Sequence, residues 1–66
     1  MSGDQLNKVL LERLDVINSK NGKLYRVRSV TRLSGTTITV VLYHRVGKDK
    51  IHVLDMEGFN KLHEMV

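Results

Sequence analysis

Apolar positions alternate with polar ones through the middle of the chain and recur at helical spacing near both ends. Between Leu24 and Val46, two apolar, β-branched runs flank Ser34-Gly35, the signature of two strands joined by a two-residue hairpin loop. Glycine suits that loop because primed turns need a positive φ. With Ser34 and Gly35 as the loop, Leu33 faces Thr36, and the ladder runs from Arg32–Thr37 to Tyr25–His44. Side chains alternate sides along a strand. One face then collects Tyr25, Val27, Ser29 and Thr31 with Ile38, Val40, Leu42 and His44, and it is the expected core. The other collects Arg26, Arg28, Val30 and Arg32 with Thr37, Thr39, Val41 and Tyr43, and is expected to be basic and open to solvent.

Upstream, Asp4 offers an N-cap for a helix starting near Gln5. Leu6, Val9, Leu10, Leu14, Val16 and Ile17 fall within an arc of about 160° at helical spacing. Leu11 lies outside that stripe and Arg13 projects from its middle, either as a stem covering the core edge or as half of an interface ion pair. The helix is expected to end around Asn18–Gly22. Downstream, Val46-Gly47-Lys48-Asp49 reads as a turn and Lys50 to Leu54 as a third strand. A Gly47-Lys48 loop puts Ile51 and Val53 on the core face, with Lys50 and His52 beside Arg45 and Tyr43 on the basic one. Asp55 is a good N-cap for a closing helix. Leu54 and Phe59 have the spacing of a hydrophobic staple, and Met56, Phe59, Leu62 and Val66 recur every three or four residues. Gly58 costs helix stability and is read as permitting close approach to the sheet.

The expected fold is one α+β domain over residues 1–66 in the order α-β-β-β-α, a three-stranded antiparallel meander with both helices on one face. Sixty-six residues is near the lower limit for folding without staples, and homodimerisation would relieve it. With no cysteine, disulfides and thiolate metal sites are excluded, and a cytoplasmic location is the default. No apolar run reaches the roughly 18–20 residues of a membrane span, and the first residues show no secretory signal.

Charge sharpens the picture. Residues 20–50 hold Lys20, Lys23, Arg26, Arg28, Arg32, Arg45, Lys48 and Lys50 against Asp49 alone, while both flanks are slightly acidic. Such segregation points to an anionic partner. Arginine grips phosphate bidentately and stacks on bases. An exposed tyrosine offers a platform for a base, and Thr37 and Thr39 can donate to phosphate. Arg26, Arg28, Arg32, Tyr43, Arg45, Lys48 and Lys50 are therefore the expected nucleic-acid-binding residues of a small regulatory protein that binds DNA or RNA. The competing expectation is an adapter or inhibitor that docks on an acidic protein surface or through an exposed strand edge. Val30 and Val41 on the open face favour it.

Enzymatic chemistry finds no support. His44, His52 and His63 are the only imidazoles, and the ladder puts the first two on opposite faces, so no metal is expected. No phosphate-binding glycine loop, nucleophile elbow or zinc-protease motif occurs, Ser29 faces apolar neighbours, and no cofactor is expected. The order of elements resembles that of the double-stranded-RNA-binding domain. That family's Gly-Pro-x-His loop is here Ser34-Gly35, and its lysine cluster is Met56-Glu57-Gly58-Phe59, so the resemblance implies a fold and not an activity.

Overall fold

A computed structural model describes residues 1–66. The elements are α1 (Gly3–Glu12), β1 (Asp15–Asn18), β2 (Leu24–Arg32), β3 (Thr39–Arg45), β4 (Ile51–Asp55), α2 (Met56–Leu62) and β5 (His63–Met65). The class is α+β, with two helices and an antiparallel sheet of five strands in the order β4-β3-β2-β1-β5. The expected order α-β-β-β-α is not matched: the three expected strands are consecutive neighbours as β2, β3 and β4, but two short strands that local pattern did not reveal, β1 and β5, extend the sheet.

The first helix is shorter than its apolar stripe suggested. Its cap is Ser2 rather than Asp4. The Ser2 hydroxyl accepts from the Gln5 N–H (3.1 Å) and the Gln5 side chain accepts from the Ser2 N–H (2.8 Å), a capping box. Helix α1 stops at Glu12 because Arg13 turns left-handed, with φ 55° and ψ 47°. It is the one non-glycine residue of positive φ, a geometry that costs about 1–2 kcal/mol for an L-residue. The turn lets the N–H groups of Arg13 and Leu14 both reach the Val9 carbonyl. Arg13 is thus a helix terminator, not a member of the stripe. Val16 and Ile17 leave the helix for β1, where Val16 points inward and Ile17 outward.

The hairpin departs from the expected register in two places. Ser34 and Gly35 do form the turn, with Gly35 at φ 76° and the Thr36 N–H on the Leu33 carbonyl. Thr36 does not then enter the ladder. Its hydroxyl donates to the Leu33 carbonyl (2.9 Å) and accepts from the Ile38 N–H (3.1 Å), so Leu33 pairs with Ile38 across a four-residue loop. Further down, Val27 pairs with Tyr43 but Ser29 with Leu42. Arg28 is the extra residue of a β-bulge. One inserted residue reverses the alternation of β2, so Tyr25 and Val27 share a face with Val30, Val41 and Tyr43.

That face, not the opposite one, is covered by the helices. Leu6 and Val9 of α1 and Phe59 of α2 pack on Val16, Tyr25, Val27, Val41 and Tyr43. Of the anticipated core set, Tyr25 and Val27 are in the core, whereas Ser29, Thr31, Val40, Leu42 and His44, with Ile51 and Val53, lie on the outer face, where Val40 alone is buried. The β3–β4 register itself is as expected, with His44 opposite Ile51 and Tyr43 opposite His52; only the covered side is reversed.

Helix α2 starts where expected, with the Asp55 carboxylate accepting from the Gly58 N–H (2.9 Å). Gly58 makes room for that cap rather than for the sheet, since a Cβ there would lie 3.0 Å from Asp55 Oδ1. The helix ends at Leu62, so Val66 lies outside it and is exposed. Seven helical residues rise about 10 Å, yet they join the two outermost strands, about 19 Å apart in a flat five-stranded sheet. The sheet therefore curls around the core, bringing His63 of β5 within 5.3 Å of Tyr43 on β3, ring centre to ring centre.

His63 closes this core. It is fully buried, stacked on Phe59 at 4.2 Å. Its Nδ1 lies 3.0 Å from the Phe59 carbonyl and its Nε2 3.2 Å from Asn18 Nδ2. Asn18 cannot turn its amide over at no cost, because its Oδ1 already accepts from the N–H groups of Lys20 and Asn21. The ring is therefore held neutral, donating through Nδ1 and accepting at Nε2. A second proton would face another donor. Burial lowers the His63 pKa from 6.5, with the Phe59 hydrogen bond opposing in part. A depressed histidine pKa means that the unfolded chain binds the proton first. Stability is then full above the unfolded value of 6.5 and falls as pH drops below it, by up to about 1.4 kcal/mol per pH unit. Thermal unfolding between about pH 7.5 and 5 should show this fall. A His63→Gln variant should be less stable at high pH and should lack that component of the slope; an unchanged slope would contradict the assignment.

Candidate interaction surface

Cross-strand pairs share a face, so the register maps the uncovered side of the sheet. Ile17 pairs with Leu24, and the Val46 N–H donates to the Leu24 carbonyl (3.0 Å). Leu42 pairs with Val53, and His44 with Ile51. Five large aliphatic residues of this outer face, Ile17, Leu24, Val46, Ile51 and Val53, are between 37% and 59% exposed. Three of them, Val46, Ile51 and Val53, stand on the β3–β4 turn and on β4. Polar Ser29, Thr31 and Arg26 on β2 border the stripe. His44 sits half-buried within it, its Nδ1 without a hydrogen-bond partner.

The expected basic residues do not gather on this face. Arg26 is there, but its Nε (3.0 Å) and Nη2 (2.8 Å) both bond Asp15 Oδ1. Arg28 projects from the bulge, exposed, and shares a cleft of about 330 Å³ with Leu10, Arg13, Arg26 and Val27. Arg32 pairs with Thr39 near the hairpin tip, and Arg45 is half-buried opposite Tyr25. By alternation, both lie on the helix side. Lys48 and Lys50 occupy the β3–β4 turn at the far end of the sheet. The charge concentrated in sequence is thus dispersed in space, because the bulge and the curl divide the hairpin among several surfaces. Arg28, Arg32, Lys48 and Lys50 remain exposed and have no carboxylate partner.

Tyr43 is the clearest correction. It was expected to be an open platform for a base, but it is 8% exposed. Its ring is edge-on to Tyr25 at 5.6 Å and Phe59 at 4.9 Å, and stacked on His52 at 5.4 Å. Burial, with Tyr25 adding to it, raises the Tyr43 pKa above 10.0. Val30 and Val41, expected on the open face, also belong to the covered side. Ile17, Leu24 and Val46 were missed as surface residues. Ile17 was absorbed into the helical stripe, and only tertiary pairing reveals where the other two point.

The outer face ends at β4, which pairs with β3 on one side only. Its five residues, Ile-His-Val-Leu-Asp, contain no proline, no bulge and no lysine, the usual means by which edge strands resist pairing. The opposite edge, β5, has three residues and carries Glu64. No helix is long and apolar enough to cross a membrane, and no group of three His, Asp or Glu side chains is placed to hold a metal ion. Comparisons with protein-family models, curated proteins and solved structures find no match.

Truncation distinguishes a core tyrosine from a surface one. Tyr43→Ala should destabilise the fold by about 3–5 kcal/mol, whereas Arg28→Ala should stay within about 0.5 kcal/mol of the parent. Chemical denaturation measures both. A near-neutral Tyr43→Ala would return the ring to the surface.

Proposed function

We propose that this chain is a small, non-enzymatic protein-binding module that accepts an extended polypeptide segment as a sixth strand along β4. The observation that carries this reading is the coincidence of a bare strand edge with an apolar flank. β4 leaves one row of backbone N–H and C=O groups unpaired, and Ile51 and Val53 stand exposed beside it. Backbone pairing supplies affinity in such an arrangement, and contacts with alternate side chains supply selectivity. The incoming strand would present apolar residues at every second position, over the stripe formed by Val53 and Leu42. A photo-crosslinking residue in place of Val53, introduced in cells that express the chain, should give discrete polypeptide adducts. The same residue in place of Glu12, on the exposed side of α1, should not. No polypeptide adduct at position 53, or equal adducts at both positions, would overturn the reading.

Nucleic-acid binding is the second reading, and the unpaired, exposed Arg28, Arg32, Lys48 and Lys50 favour it. Each phosphate engaged by such cations on duplex DNA contributes a slope of about −0.9 to log K against log salt. Affinity for random duplex and single strands, measured from about 50 to 300 mM salt, should fall steeply, and Arg28→Glu with Arg32→Glu should remove it while the fold persists. Salt-insensitive or absent binding leaves the strand edge as the functional surface.

A further inference from the structure

We infer that the strand added along β4 is β4 of a second copy of this chain, in an antiparallel pairing about a two-fold axis through Val53. This rests on the reading of β4 as an accepting edge. Four observations select a second copy and this geometry.

β4 is self-complementary in charge. Lys48, Asp49 and Lys50 precede it with an excess of positive charge, and Asp55 closes it, with Glu57 following in the first turn of α2 beside Lys61. Antiparallel pairing brings the basic end of one strand beside the acidic end of the other, twice by symmetry, whereas parallel pairing would juxtapose like ends. The strand as such presents few charges, so a polyanion or a strongly acidic protein finds little to hold there.

Faces must also match. A two-fold axis perpendicular to the sheet keeps outer side chains on the outer face. Val53 is the middle residue of the five, so only an axis through it overlaps the whole strand. Val53 then meets its own copy and Ile51 meets Asp55, while Lys50, just before the strand, comes level with Met56 on the opposite face from Asp55. Moving the axis to His52 would place Asp49 opposite Asp55, two like charges at the end of the ladder.

The apolar stripes then join. Leu42 and Val53 of one copy would continue into Val53 and Leu42 of the other, so the most exposed aliphatic of the sheet, Val53 at 59%, moves to the centre of a ten-stranded sheet. Finally, the isolated chain has a small core, with 11 of 66 residues buried. Chains of this length commonly draw on association for stability.

The alternative pairing, β4 of one copy on β5 of the next, is head-to-tail. It propagates into rings or filaments rather than closing as a pair. Its acceptor would be a three-residue strand carrying Glu64.

Residue 53 meeting itself gives a direct test. Sedimentation equilibrium of the full chain, up to about 0.5 mM so that a weak pair is populated, should give a dimer of about twice 7.6 kDa. Val53→Lys places two ammonium groups opposite each other, and Val53→Glu two carboxylates. Each variant alone should dissociate at least about tenfold more readily than the parent. Mixed in equal amounts, they should recover the dimer, and circular dichroism should show each folded. If either unfolds, Val53→Gln with crosslinker at Ile51 reports the same contact, expected on Asp55 of the second copy. A monomer at every concentration, an assembly larger than two, or a mixture no tighter than its parts overturns the inference. In the monomer case, adducts to another polypeptide at position 53 would leave β4 an accepting edge for a different chain; no adduct at all would remove both.

Discussion

One inserted residue in β2 governs the rest of the molecule. Without the bulge at Arg28, Tyr25 and Val27 would face away from Val30, Val41 and Tyr43 and would join Val40, Leu42 and Val53 on the other side of the sheet. With it, two tyrosines and three valines meet on one side, and Phe59 and His63 complete an aromatic cluster with ring centres 4.2–5.6 Å apart among Tyr25, Tyr43, Phe59 and His63. Edge-to-face contacts of this kind add to what burial alone supplies. A bulge also increases strand twist, consistent with a sheet curled tightly enough for a seven-residue helix to span its edges.

The same insertion explains the surface. β3 is apolar on both sides, with Val40, Val41, Leu42 and Tyr43 in succession, so its own sequence does not say which side is core. Once the aromatic side turns inward, Leu42, Val46, Ile51 and Val53 are left outside, and the sheet terminates in an undefended edge. The fold therefore presents an apolar, strand-lined flank as a direct consequence of how its core is assembled. The arginines follow the backbone to different places. Arg26 goes to Asp15, Arg28 to the bulge, and Arg32 and Arg45 to the helix side. A charge run that looks concentrated along the chain has no single address in space.

Much of the local structure was legible in the sequence. The turn at Ser34-Gly35, the His44–Ile51 register, the Asp55 cap and the staple-spaced Phe59 each depend on a few neighbouring residues whose chemistry is nearly sufficient. What was not legible depends on distant partners. Asp15–Asn18 becomes a strand because β2 and β5 flank it, and three residues after α2 become a strand only because β1 is there to receive them. Helical periodicity was also misleading at Val16 and Ile17, where the left-handed Arg13 had already ended the helix. The bulge leaves no local mark, since Arg-Val-Arg-Ser alternates as well without it as with it. The side covered by the helices, and with it the position of the candidate surface, was hidden for that reason.

What the Phe59 ring touches decides which side of the sheet is the core. Side-chain nuclear Overhauser effects in the folded protein measure this directly. The bulged register predicts strong effects from the Phe59 ring to Tyr43 and His63 and none to Leu42 or Val53. Effects from Phe59 to Leu42 and Val40, with Tyr43 free of helix contacts, would mean that the ladder runs straight through Arg28 and that the opposite side of the sheet is the core.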